Sequence, residues 1–162
     1  MTFYILEIKN TTTLQEAVRN DGVIVFKSAT LDLVDADGGW DNTALNLVNA
    51  AGDIILVIAI RRRQQIVVFN NKPAGGSWTS EEIIPFSDQF SGPGATVTVV
   101  SHPDRFQILF DNKTVHYFNK RGNDNDVTSV AYTINADQGT SLFADNLGVT
   151  TYASLPSLTG NN

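Results

Sequence analysis

An all-β chain, folded as a sandwich or barrel, is what the sequence predicts, and three observations predict it. Short β-branched and aromatic runs recur roughly every ten residues. Segments rich in Gly, Asn, Asp or Pro separate them: NDG, DADGG, KPAGG, SGPG, DNK, RGNDND and ADQG. Sustained 3.6-residue periodicity is missing, and only TLQEAVRND (13–21) offers a turn or two of helix.

In chain order the expected strands are 3–8 (FYILEI), 22–28 (GVIVFKS), 43–49 (TALNLVN), 54–61, 65–70, 96–101 (TVTVVS), 105–111 (RFQILFD), 114–120 (TVHYFNK), 129–134 (SVAYTI) and 148–153 (GVTTYA). Each is apolar on alternate positions or throughout, and each ends where the chain must reverse. RFQILFDNKTVHYFNKR reads as a hairpin with its turn at Asp111, Asn112 and Lys113. No internal repeat, low-complexity segment or linker interrupts the series, so residues 1–162 are expected to form one domain.

Composition narrows the function. Acidic residues outnumber basic ones 17 to 11, for a net charge of −6. That balance argues against nucleic acid or an anionic membrane as partner, because phosphate binding needs a basic surface. The absence of cysteine excludes disulfides, thiolate metal sites and cysteine nucleophiles. No apolar run approaches the ~18 residues of a membrane helix, and MTFYILEIKN does not read as a secretory leader. The expectation is a cytoplasmic protein, or one exported without a signal peptide. Asn10 and Asn112 sit in glycosylation sequons, expected to be unmodified.

The chemistry concentrates in DIILVIAIRRRQQIVVFNN (53–71). Strand alternation puts Ile54, Leu56, Ile58 and Ile60 on one face, and Ile55, Val57, Ala59, Arg61 and Arg63 on the other. In the next arm Val67 and Phe69 share one face, and Ile66, Val68 and Asn70 the other. One face is pure core; the second ends in a guanidinium and a carboxamide. Taken singly, Arg61 is a solvated strand end and Asn70 a turn residue. The segment NNKPAGGSWTSEE then brings Trp78, Glu81 and Glu82 alongside. Arg, Asn, Trp and Glu on adjacent strands suit an uncharged sugar: the aromatic face packs on ring C–H groups and planar polar groups pair with vicinal hydroxyls.

These residues resemble the galectins, in particular those of mushrooms. The family motif is roughly H-x-x-x-R on one strand, V-x-N on the next, then W-x-x-E-x-R after a short turn. VIAIR, VFN (68–70) and WTSEEI (78–83) occupy the three elements, and SHPDRFQILFD, NKR (119–121) and TSLFADNLGVTTY resemble the later strands. The resemblance implies a galectin-like jelly-roll β-sandwich of two antiparallel sheets that binds sugar without cofactor or metal. It implies that Arg61 hydrogen-bonds galactose and the next sugar, that Asn70 binds the C6 hydroxyl, that Trp78 stacks, and that Glu81 holds Arg61 and a hydroxyl. Some mushroom galectins replace an asparagine of the animal motif by Ala and supply another from an insertion reading N-T-A-L-N. Ala59 and DNTALN (41–46) fit that exchange, which makes Asn42 the substitute. Trp40 beside it either extends the site or packs on the sandwich as a loop residue.

Two family positions are lost. The histidine that reads the axial C4 hydroxyl of galactose is Val57, and the second arginine, which binds the following sugar, is Ile83. One neutral and one charge-assisted hydrogen bond together amount to ~2–4.5 kcal/mol, roughly 30-fold to a thousandfold or more in affinity. The expectation is a lectin preferring N-acetylglucosamine-containing glycans or chito-oligosaccharides, with an acetamido methyl against Val57 or Ile83. A branch of galectin-related mushroom lectins has that specificity, and IRRRQ and HPDR look similar to it, although that branch replaces the stacking tryptophan. The alternatives are a β-galactoside-binding galectin with an altered motif, and a galectin-fold protein-interaction module. Arg63 is expected to extend the groove or pair with a carboxylate.

Catalysis finds little support. Glu81 and Glu82 are adjacent, so on a strand they face opposite ways and do not flank one glycosidic bond. His102 and His116 belong to no triad or metal-spaced cluster. A homo-oligomer, dimer or tetramer, is expected, since weak sugar sites gain avidity in numbers; the resemblance also implies a defence role against animals or microbes.

Overall fold

The computed structural model describes residues 1–34, 40–135 and 138–153. The expected turn at 35–39, and residues 136 and 137 of the ADQG turn, lie outside the described residues. All regular elements among them are strands: β1 (Thr2–Glu7), β2 (Thr11–Val18), β3 (Val23–Ser28), β4 (Thr43–Val48), β5 (Ile54–Arg61), β6 (Ile66–Lys72), β7 (Glu82–Pro85), β8 (Ala95–Ser101), β9 (Arg105–Phe110), β10 (Lys113–Asn119), β11 (Val127–Ile134) and β12 (Asn146–Tyr152). They form two six-stranded antiparallel sheets, ordered β1-β12-β3-β8-β9-β10 and β2-β11-β4-β5-β6-β7. Accordingly, no helix among the described residues is long and apolar enough to cross a membrane.

The core fills the space between the sheets. Leu6, Phe26, Val97, Phe106, Ile108 and Val149 from the first sheet meet Leu45, Leu56, Ile58, Val67, Phe69 and Val130 from the second. Alternation along β8 and β9 delivers these side chains inward, as period-2 patterning requires. Strands β4, β5 and β6 are different, because they are buried on both faces. Their second face carries a separate small cluster of Ala44, Val57, Ala59 and Val68. A sheet with an apolar outer face needs a cover or a ligand, and this one lies under the cleft described below.

Three expectations change. The segment read as a possible helical turn is β2, an edge strand. Its pairing with β11 slips between Val127 and Ser129, where partners jump from Val18 to Thr13. Leu14 and Val18 both enter the core, and their spacing of four puts them on one face of a strand as it would on one face of a helix. The four-residue edge strand β7 went unforeseen, since it is short, half exposed and ends at Pro85. The third change concerns β5. A register shift between Ile54 and Val57 sends both Ile55 and Leu56 to the core and turns Ile54 onto the outer face beside Val57. The expected facing of Ile54 and Ile55 is therefore exchanged, while that of Val57, Ala59 and Arg61 holds. The hairpin forms as read, with its turn narrowed to Asp111 and Asn112 at φ of 48° and 67°, a type I′ connection.

Tyr132 on β11 ties the core to the following loop. Its ring is fully buried, its hydroxyl lies 2.5 Å from Ser141 Oγ, and it donates to the Ala144 carbonyl at 2.9 Å. Burial pushes its pKa from 10.0 up to about 12. The folded state thus favours the neutral phenol, and this contribution to stability is intact below pH 10 and lost as pH rises from there towards 12. Denaturant midpoints measured from pH 8 upward should fall across that window, and a Tyr132→Phe variant, less stable at pH 8, should fall less steeply.

Candidate functional site

The outer face of β4, β5 and β6 forms the floor of a cleft of about 530 Å³. Antiparallel register sets its rows. Ala44, Ala59 and Val68 lie side by side across the three strands, and the next row is Asn46, Val57 and Asn70. Partners in register share a face, so each row presents its side chains to the same side. Trp40 and Trp78 stand on the rim, 52% and 49% exposed, while Arg61, Asn42 and Glu81 complete the polar lining.

Arg61 ends β5 and is the meeting point of the polar groups. Its Nε donates to Asn42 Oδ1 at 3.3 Å, and its Nη2 lies 3.6 Å from Glu81 Oε2. The guanidinium carbon sits 4.6 Å from the Trp40 ring centroid, in cation–π geometry. Trp40 thereby lines the cleft beside Arg61.

Arg62, one residue on, explains why these loops are where they are. It does not continue the strand on an opposite exposed face. The strand stops at Arg61, and Arg62 turns inward to 1% exposure. Its Nε and Nη2 donate to the two oxygens of Asp41 at 2.9 and 2.6 Å. Nη1 donates to the carbonyls of Asp32 and Val34, and Nη2 also to that of Thr140. All five guanidinium N–H groups are satisfied. Asp41, itself buried, also accepts the Arg62 backbone N–H at 2.7 Å. Trp40 and Asn42 flank this aspartate, and Arg61 precedes this arginine, so one buried pair places three cleft side chains. Gln138 supports them, accepting the Asn42 N–H at 2.9 Å.

The far wall is built around Arg121. Its Nη1 lies within hydrogen-bond distance of the Ser80 carbonyl (2.8 Å), Thr79 Oγ1 (2.9 Å), Asn71 Oδ1 (3.0 Å) and Asn70 Oδ1 (3.3 Å). Its Nη2 meets Glu82 Oε2 at 3.0 Å, and Glu82 Oε1 lies 2.7 Å from His116 Nε2. The His116 ring stacks on Phe69 at 4.3 Å, so the network is keyed into the core. Asn70 lies inside β6 at 3% exposure rather than in a turn. Its amide nitrogen donates to the Thr79 carbonyl at 3.1 Å, which fixes the carboxamide plane. Thr79 Oγ1 is also hydrogen-bonded to Asn71 Oδ1. These bonds hold the segment that carries Trp78 and Glu81.

The structure therefore gathers Trp40, Asn42, Val57, Ala59, Arg61, Asn70, Trp78 and Glu81 around one cleft. Arg63 is exposed in the turn between β5 and β6 and does not line it. Ile83 is the register partner of Val68, so it shares the floor's face, but it is 53% exposed and outside the lining. Sequence reasoning missed Asp41, Asn46, Arg62 and Arg121. Among the described residues no three His, Asp or Glu side chains are grouped to hold a metal ion.

The comparisons with known proteins agree with this geometry. Residues 9–137 match the model of the galactoside-binding lectin family. The chain belongs to the galectin family. It is 36% identical over 155 residues to galectin-1 and to galectin-2 of Coprinopsis cinerea, covering 96% of this chain and 97% of each relative. An anti-tumor lectin of Cyclocybe aegerita is 28% identical over 158 residues. In fold the chain is similar to a Caenorhabditis elegans galectin, with a TM-score of 0.67 over 89% of this chain and 90% of that one at 16% identity. Sheep galectin-11 in complex with glycerol gives 0.60 over 92% and 96% at 18% identity. This galectin is thus an all-β sandwich and a carbohydrate-binding lectin, of a family of lectins rather than enzymes.

Two predictions follow from the way this galectin's cleft is held. Asp41→Ala leaves Arg62 buried without its counter-charge, and should cost ~3–5 kcal/mol in denaturant unfolding. Arg121→Ala should lower sugar affinity about tenfold, ~1.4 kcal/mol, through release of the Trp78 segment, and shift the Trp78 fluorescence to the red.

Proposed function

We propose that the cleft binds N-acetylglucosamine-containing glycans of the chito-oligosaccharide class in preference to β-galactosides. The observation that carries this reading is Val57 at the middle of the floor, buried among Ala44, Ala59 and Val68. The family histidine that reads an axial C4 hydroxyl has no counterpart in that row, so an equatorial hydroxyl is no longer selected against. The apolar patch suits an acetamido methyl instead. Ile83, on the same face at the border, replaces the second arginine and offers further apolar surface.

In this reading Trp78 supplies the stacking face, and Arg61 with Glu81 the charge-assisted hydrogen bonds. Asn70 and Asn42 give directional bonds and Trp40 extends the cleft. Arg63 adds positive charge at one end, beyond the lining. The ligand requires neither metal nor cofactor, and nucleic acid is not its class. Because single sugar sites are weak, we further propose a dimer or tetramer that acts through avidity, which light scattering would test.

The convergence of Arg61, Asn70, Trp78 and Glu81 favours a second reading, a β-galactoside binder with an altered motif. Calorimetric titration with chitotriose and lactose side by side separates the two. Binding of chitotriose with weak or no lactose binding is expected, and Val57→His should raise lactose affinity about tenfold by restoring one hydrogen bond. Equal or tighter lactose binding by the unmodified protein overturns the proposal. Trp78→Ala should reduce binding of either sugar at least tenfold. If no sugar binds and Trp78→Ala leaves capture of a protein partner intact, the fold serves protein contact instead.

A further inference from the structure

Asn46 closes the DNTALN segment and lines the cleft, and the family resemblance gives it no role. It sits on β4, directly in register with Val57, which is in register with Asn70 on β6. Two carboxamides therefore bracket the apolar centre of the floor, their backbones roughly 10 Å apart across three strands. The two are held very differently. Asn70 is fixed by Thr79, by its neighbour's backbone N–H and by Arg121. Asn46 is 8% exposed and lines the cleft, and its carboxamide makes no hydrogen bond to any described residue. Its polar atoms open on the cleft and are not sealed from water, so a ligand that displaces that water must replace the hydrogen bonds it removes.

The chemistry that satisfies it is specific. A carboxamide presents one acceptor and a two-hydrogen donor in a plane. An acetamido group carries its N–H and its carbonyl on opposite edges of a trans amide, with the methyl on the N–H edge. A methyl placed on Val57 turns the N–H edge toward Asn46, its register neighbour, whose Oδ1 accepts it. We propose that Asn46 is the acetamido reader of this cleft and that Val57 seats the methyl. This rests on the N-acetylglucosamine reading above and names the residue that makes that choice. A hydroxyl at the same carbon carries no methyl to hold it against the floor and leaves Val57 without its apolar partner.

The test uses chitotriose and cellotriose, which share linkage and ring stereochemistry and differ at the C2 substituent. The intact protein, Asn46→Val and Asn46→Asp are each titrated with both. The intact protein should prefer chitotriose about tenfold or more. Asn46→Val should remove that preference, lowering chitotriose affinity about tenfold and leaving cellotriose affinity within about twofold. Asn46→Asp, which keeps the acceptor, should hold chitotriose affinity within about threefold of the parent. Because the Asn46 carboxamide bonds to no described residue, Asn46→Val should unfold at a temperature no lower than the parent, which separates a lost contact from a lost fold. A preference for chitotriose that survives in Asn46→Val overturns the assignment of Asn46 while the reading of the cleft stands. An intact protein that binds both trisaccharides equally, or binds only lactose, overturns that reading and the acetamido reader with it.

Discussion

The buried pair of Arg62 and Asp41 is the constraint on which the cleft depends. Leu31, Leu142 and Phe143 bring the neighbouring chain to the core, but Leu33 and Val34 stay exposed. The segments at 32–34, 40–42 and 140 converge because five N–H donors of one guanidinium need acceptors, and they supply them. Burial of two charges is expensive, and a pair of this kind adds little net stability compared with a hydrophobic replacement. Its effect here is positional: Trp40, Asn42 and Arg61 are each one bond along the chain from a member of the pair. Arg121 does the same at the opposite wall, where it holds Asn70 and the segment leading to Trp78. Both ends of the cleft are therefore anchored by an arginine that does not line it.

Between those anchors the floor has an unusual composition for an outer sheet face. Small apolar residues at 44, 57, 59 and 68 leave space above the strands, and the two tryptophans flank it. Small side chains make the depth, and the rim residues make the polarity. A deep apolar floor with polar walls matches the two-sided character of a sugar ring, whose C–H groups and hydroxyls point in different directions. The register shift at Ile55 contributes, because it removes one isoleucine from the expected outer set and puts another, Ile54, at the end of the cleft.

Much of this was legible in the chain. Alternation and turn residues gave the strands that pair centrally, where one face or both are buried and the pattern is regular. The motif positions from Asn42 to Glu81 gave the lining, because residues two apart on a strand must share a face unless a bulge intervenes. The edge strands β2 and β7 were harder. In β2 Leu14 and Val18 are four apart, a spacing that strand and helix share, and β7 is too short and exposed for a pattern to show. Arg62 was hidden for a different reason. In a run of three arginines nothing local marks the one that turns inward, since its partner is an aspartate 21 residues earlier.

The sequence by itself determined the fold class, the family and the inventory of polar and aromatic groups near residues 42 to 81. Those follow from local rules, the two-residue period of a strand and the φ preferences of turn residues, which act over a few positions. Tertiary structure decided which arginine lines the cleft and which is a buried anchor. It also decided that the Asn46 carboxamide stands beside Val57 without a hydrogen bond to any described residue, and that Arg121 reaches Asn70 from 51 positions away. Such choices depend on register between strands and on burial, both of which arise only when distant segments pack together.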